Sequence, residues 1–170
     1  MLEPAAVLDR MFVYGTLRRG ERAWCQIEPY AVGWEPARCR GTMVAFAAGY
    51  PGLLLEGETP IAGELVTLRD VPAALAWLDE YEGDEFTRRE IEVTAAAGPT
   101  HAWVYAVDRA VMATGTPVPG GDWVAYRLGQ HRSAADEIAN EGQGEGGQRE
   151  GECAEADFAG TTTRTVAHGP

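Results

Sequence analysis

The chain has 170 residues, 45% of them hydrophobic, and a formal net charge of −12. That is the length of one domain, with enough apolar material for a substantial core. The acidic balance argues against non-specific binding to nucleic acid, and with no run of roughly 18 apolar residues no membrane span is expected.

The charge is unevenly placed. Residues 133–170 carry eight acids against two arginines, and beyond Asn140 the composition falls to Glu, Gly and Gln. Such a segment buries too little apolar surface to offset its ordering entropy. The reading is therefore a folded body over 1–132 and a disordered acidic tail over 133–170, whose removal after Asn140 is expected to cost little. Met1 to Arg10 lacks the basic-then-apolar layout of a signal peptide. Cys25, Cys39 and Cys153 are odd in number and lack metal-ligand spacing, which suits a reduced, cytoplasmic compartment.

In chain order, Met11-Phe12-Val13-Tyr14 reads as a short buried strand running into Gly15-Thr16-Leu17-Arg18-Arg19-Gly20. Gly15 tolerates positive φ and lets a ligand approach the backbone. A strand ending in such a turn presents N–H groups without ladder partners, and these favour an anion, although an ordinary strand end has the same pattern. Trp24, Ile27 and Tyr30, three apart, predict a helical turn ending near Glu28-Pro29. Ala37–Ala47 reads as a strand, Gly49 to Gly52 as a turn and Leu53–Leu55 as a short apolar run. Glu56 to Pro60 looks like a break before a strand over Ile61–Leu68, in which Gly63 marks a bulge or a close backbone approach.

The period then changes. Asp70 reads as an N-cap with Pro72 in the first turn, and the helix is expected to run to Tyr81 or Glu82, with Gly83 as its left-handed C-cap. Phe86–Ala95 and Thr100–Val107 read as strands joined at Gly98-Pro99, and Trp123 and Tyr126 as residues packing back onto the body. Five or six mostly antiparallel strands with one clear helix make an α+β domain.

On that helix Val71, Leu75 and Leu78 form an apolar stripe, and Glu82 falls only about 20° from Leu75 at 100° per residue. Asp79 lies at the edge and Glu80 in solvent. An acid on the apolar face needs a reason: burial and the negative end of the helix dipole both raise its pKa toward a range suited to proton transfer near neutrality. The competing reading ends the helix earlier and pairs Glu82 with Arg88 or Arg89 at the surface.

Tyr14 to Gly20, then Leu78-Asp79-Glu80-Tyr81-Glu82-Gly83, Phe86-Thr87-Arg88 and Gly120-Gly121-Asp122-Trp123 occur in this order. Together they resemble the γ-glutamylcyclotransferase-like (AIG2-like) family over about residues 11 to 127. The resemblance implies a small mixed β-barrel with flanking helices. It also implies substrate binding by the Tyr14, Gly15, Thr16 and Leu17 backbone, and Glu82 as general acid/base. Thr16 stands where many members have Ser, and Phe86 where Tyr is common.

The implied reaction suits these parts. A γ-glutamyl amide carries its own nucleophile, the α-amine, which closes a five-membered ring on the γ-carbonyl and expels an amine, leaving 5-oxoproline. No metal, cofactor or covalent nucleophile is needed. Cys25 and Cys39 read as buried fillers rather than nucleophiles, and His101 as a strand residue. Tyr105 is a candidate pocket residue that would look the same as a core aromatic. Gly15 and Gly20 make no phosphate loop, since no Gly-Lys-Ser/Thr follows. The expected partner is a small γ-glutamyl substrate, with no nucleic acid and no membrane. The other class of reading is a non-catalytic module that keeps the pocket for a small anion or a protein partner.

Overall fold

The computed structural model describes residues 7–139, and side chains as far as Arg132. The acidic segment expected to be disordered lies almost wholly outside these residues. The elements run β1 (Arg10–Val13), α1 (Trp24–Ile27) with a 3-10 turn over Glu28–Tyr30, β2 (Ala31–Ala45), β3 (Pro51–Leu68) and α2 (Val71–Glu82). They continue with β4 (Thr87–Ala95), β5 (Gly98–Ala106), α3 (Arg109–Met112), β6 (Thr116–Pro117) and α4 (Trp123–Ala139).

Strand order is β3-β1-β5-β4-β2, and a second pairing of β2 with β3 closes the ring, so five strands form a small barrel with β6 attached to β2. The β1–β5 pair is parallel and the others are antiparallel. The expected α+β class and barrel are therefore present. Closure removes the sheet edges that would otherwise invite pairing with another chain.

Two strands are longer than the sequence reading allowed. Glu56 to Pro60 does not end a strand: Thr59 and Pro60 pair with Gly41 and Arg40, and the register slips between Gly41 and Thr42. The irregularity is held from the side, because the Thr42 hydroxyl donates to the Glu56 carbonyl at 2.7 Å and Arg40 to the Glu58 carboxylate at 3.0 Å. A register slip lets polar and glycine residues bend a paired strand without interrupting it.

Two apolar clusters fill the molecule. One occupies the barrel around Phe12, Met43, Leu53, Ile61 and Val104. The other seals the outer face of the sheet beneath α1 and α2, through Met11, Ile27, Val66, Ala74 and Leu78. Trp123 is buried in the first cluster with Tyr126 packed against it, as expected.

The bounds of α2 match the expectation, and its caps differ in detail. Asp70 occupies the N-cap position at φ 48°, a left-handed conformation, and its side chain makes no capping hydrogen bond. Gly83 does take positive φ, at 68°, but ψ of −164° lies outside the left-handed helical region. Ala74 and Leu78 are the fully buried positions, which turns the centre of the apolar stripe away from Leu75 and leaves Glu82 on its shoulder.

Candidate active site

A cavity of about 280 Å³ opens between the end of β1, the end of α2 and the turn leading into β3. Tyr14, Gly15, Thr16 and Leu17 form one wall, and Glu82 and Tyr105 lie on the same cavity. All six residues singled out from the sequence are thus brought together. Arg22, Tyr50, Tyr81 and Glu85 also line it, and none of these had been singled out. They come from loops and a helix end whose placement no local pattern encodes.

The strand ends in the expected turn, but Gly15 does not use the conformational freedom expected of it. Its φ is not positive. A Cβ added to it would lie 2.5 Å from Cγ of Pro51, so the missing side chain lets β1 and the start of β3 touch. Arg18 N–H closes the turn on the Gly15 carbonyl at 3.0 Å, and Ala23 N–H donates to Thr16 at 2.9 Å. Among the described residues the N–H groups of Gly15, Thr16 and Leu17 find no protein acceptor. Donors in that state favour an oxyanion or carboxylate.

Tyr14 fixes this wall to the neighbouring strand. Its hydroxyl donates to the Tyr105 carbonyl at 2.8 Å, and burial followed by the nearby Glu82 charge raises its pKa well above the usual phenol value. Tyr105 is itself buried and points its hydroxyl at α2, donating to Asp79 Oδ1 at 2.7 Å.

Arg88 grips the same carboxylate with two bonds, Nε to Oδ1 at 2.9 Å and Nη2 to Oδ2 at 3.1 Å, while stacking over Trp103 at 4.8 Å. Asp79, the edge acid of the sequence reading, is therefore the partner of Arg88, and Glu82 is not paired with it. The Asp79 carbonyl also accepts from Gly83 N–H at 3.3 Å, so this residue ties down the last turn of α2, which carries Glu82. Asp79→Asn is expected to lower stability by no more than about 1 kcal/mol, because the pair is partly exposed. Thermal melting checks this, alongside a loss of turnover of up to about tenfold as the Glu82 carboxyl loses its fixed position.

Burial raises the Glu82 pKa from 4.5 to about 7. Its charge is felt by Tyr14, Tyr50, Tyr81 and Tyr105. An acid with a raised folded-state pKa stabilises the fold most below its unfolded pKa. That contribution is lost as pH rises through about 7. Glu82→Gln is expected to match the parent in melting temperature near pH 4.5 and to exceed it at pH 8, a crossover that unfolding curves at the two pH values test.

The other candidate nucleophiles and ligands lie elsewhere. Burial pushes the Cys39 thiol up to about 12, the wrong direction for a nucleophile. Cys25 is half-buried, not the buried filler expected of it. His101 is an exposed strand residue 3.1 Å from Glu90. Among the described residues no three His, Cys, Asp or Glu side chains gather as metal ligands, and no helix is long and apolar enough to cross a membrane.

Comparison with known proteins bears on the arrangement as a whole. The chain is 33% identical over 138 residues to the gamma-L-glutamyl-butirosin B gamma-glutamyl cyclotransferase of Niallia circulans, covering 76% of this chain and 84% of that one. In fold it resembles YkqA from Bacillus subtilis at TM-score 0.56 and 24% identity, over 81% of this chain but only 44% of that one. A uropathogenic Escherichia coli-specific protein, 18% identical, superposes with TM-score 0.57 over 71% of this chain and 96% of its own. The family profile described as gamma-glutamyl cyclotransferase, AIG2-like, matches residues 11–125, which include the β1 turn, Glu82 and Tyr105. The chain belongs to that family of cyclotransferase enzymes.

Proposed function

We propose that this protein releases 5-oxoproline and a free amine from a γ-glutamyl amine or γ-glutamylated small molecule, by attack of the substrate's own α-amine on its γ-carbonyl. The observation that carries the reading is the placement of Glu82, a carboxyl whose pKa burial raises to about 7, across a single cavity from the unpartnered main-chain donors of the β1 turn. Amide donors of Gly15, Thr16 and Leu17 hold the α-carboxylate or the oxyanion that develops on the carbonyl. Tyr14 and Tyr105 shape the walls beside them. With the head folded, the α-nitrogen and carbonyl carbon react within one molecule, which removes on the order of 7–11 kcal/mol of barrier.

Glu82 accepts the proton that the α-ammonium must lose before it can attack. As the new C–N bond forms, the tetrahedral centre collapses and the bond to the leaving nitrogen breaks. The same carboxyl then returns a proton to that nitrogen. A pKa of about 7 suits both transfers at neutral pH, since neither state is scarce there. The chemistry is complete with these groups and calls on no cofactor.

The relative from Niallia circulans, whose name specifies a γ-glutamylated butirosin, favours a second reading on the same site: removal of a γ-glutamyl protecting group from a biosynthetic intermediate. A panel of γ-glutamyl amino acids, γ-glutamyl-lysine isopeptides and γ-glutamylated amines, scored by 5-oxoproline release, tests both. Release from at least one member is the expected result. If none is consumed, the non-catalytic module takes the place of the enzyme. We assign the activity to the body over 1–132, so truncation after Asn140 is expected to leave it intact.

A further inference from the structure

A second recess, of about 930 Å³, lies beside the 280 Å³ cavity, and the two share Thr16 and Arg22 as walls. The smaller cavity falls just below the usual range for small-ligand sites, so a glutamyl head carrying a bulky amine extends beyond it. The larger one matches the upper end of that range. Its far wall is α4, held against the β1 loop by Arg127, whose Nε and Nη2 donate to the Glu21 carboxylate at 3.0 and 2.7 Å.

The lining sets the kind of group this recess accepts. Trp24, Phe46, Trp123 and Tyr126 supply aromatic surface, and Thr116 and Gln130 supply neutral hydrogen-bonding groups. Trp123 and Tyr126 stack with ring centroids 5.9 Å apart, which makes a rigid platform. The four charged groups of fixed sign balance, Glu21 and Glu28 against Arg22 and Arg127. A neutral, aromatic and hydroxyl-lined groove suits a ring-bearing polar group better than a free amino acid, whose carboxylate would need a dedicated cation.

We infer that this recess is the subsite for the amine half of the substrate, and that it selects a bulky, ring-bearing amine over a small aliphatic one. This rests on the cyclotransferase reading above. The γ-glutamyl head fills the inner cavity, and the leaving amine passes Thr16 and Arg22 to lie along α4. Binding energy gathered there, remote from the scissile bond, is available to position the head for ring closure.

The test compares γ-glutamyl-methylamide with γ-glutamyl-tyramine by 5-oxoproline release. The intact enzyme is expected to favour the tyramine compound at least tenfold in kcat/KM, within the roughly 10–200-fold that apolar pocket contacts supply. Gln130 is exposed on α4, so Gln130→Trp fills the recess from its rim without disturbing a buried contact. That variant is expected to lose about tenfold on the tyramine compound and to stay within about twofold on the methylamide. Tyr126→Ala, which removes half of the platform, should shift the ratio the same way.

Equal losses on both substrates, or no preference in the parent enzyme, would overturn the subsite while leaving the cyclotransferase reading in place. Failure of the parent to release 5-oxoproline from either compound would overturn the subsite, and the cyclotransferase reading would fall with it only if the whole panel above also went unconsumed.

Discussion

Replacing Glu82 with Gln is expected to abolish 5-oxoproline release, lowering turnover by about 10²–10⁴-fold, while the protein stays folded. The amide fills the same space and keeps hydrogen-bonding capacity, but it neither takes the proton from the α-ammonium nor returns one to the leaving nitrogen. Circular dichroism and the pH-dependent melting described above separate this from unfolding, since the variant should be the more stable protein above neutrality. The parent enzyme should show the matching pH profile. Activity should fall as pH drops below about 7 and Glu82 becomes protonated, so that it no longer serves as base. Turnover unchanged in the variant would remove Glu82 from the mechanism.

The second large effect is expected from Gly15→Ala. The added methyl meets Cγ and Cδ of Pro51 at 2.5 and 2.8 Å, and a proline ring has little freedom to move aside. Either the β1 turn or the start of β3 must shift. Overpacking of this kind costs about 1–3 kcal/mol, and a displacement near 1 Å in the donor wall costs on the order of 10²-fold in rate. Thermal melting and kcat measured together distinguish the two contributions. A variant with parental kinetics would show that the turn's amides do not position the substrate. Pro51→Ala in the same background should restore part of the loss, because it removes the obstructing ring atoms.

The candidate site was legible in the sequence where local pattern and chemistry disagree. Glu82 stood out because a carboxylate fell near the apolar stripe of a helix whose ends were well marked by Pro72 and Gly83. The turn after β1 stood out because glycine and small polar residues follow a buried strand abruptly. Both signals are local, and both survived folding. What failed was the positive φ expected of Gly15: sequence gives a glycine's freedom in φ but not the neighbour that forbids a side chain.

Contacts between distant segments were out of reach for the same reason. Helical angle put Asp79 at an edge, yet nothing local shows Tyr105 and Arg88 converging on it from β5 and β4. Glu56 to Pro60 read as a break because its composition is that of a turn. The pairing that overrides the composition comes from residues about twenty positions earlier, in β2. Arg22 and Tyr50 reach the cavity from loops, where no periodicity exists to read.

The two recesses also differ in what drift can do to them. One presents main-chain amides, and no substitution other than proline deletes an amide hydrogen. The other presents side chains of α4 and nearby loops, which single codon changes replace freely. If the two recesses hold the head and the amine as proposed, a lineage built on this scaffold would keep its grip on the common head while exchanging the group it releases, reaching new amines by altering the rim and leaving the turn alone.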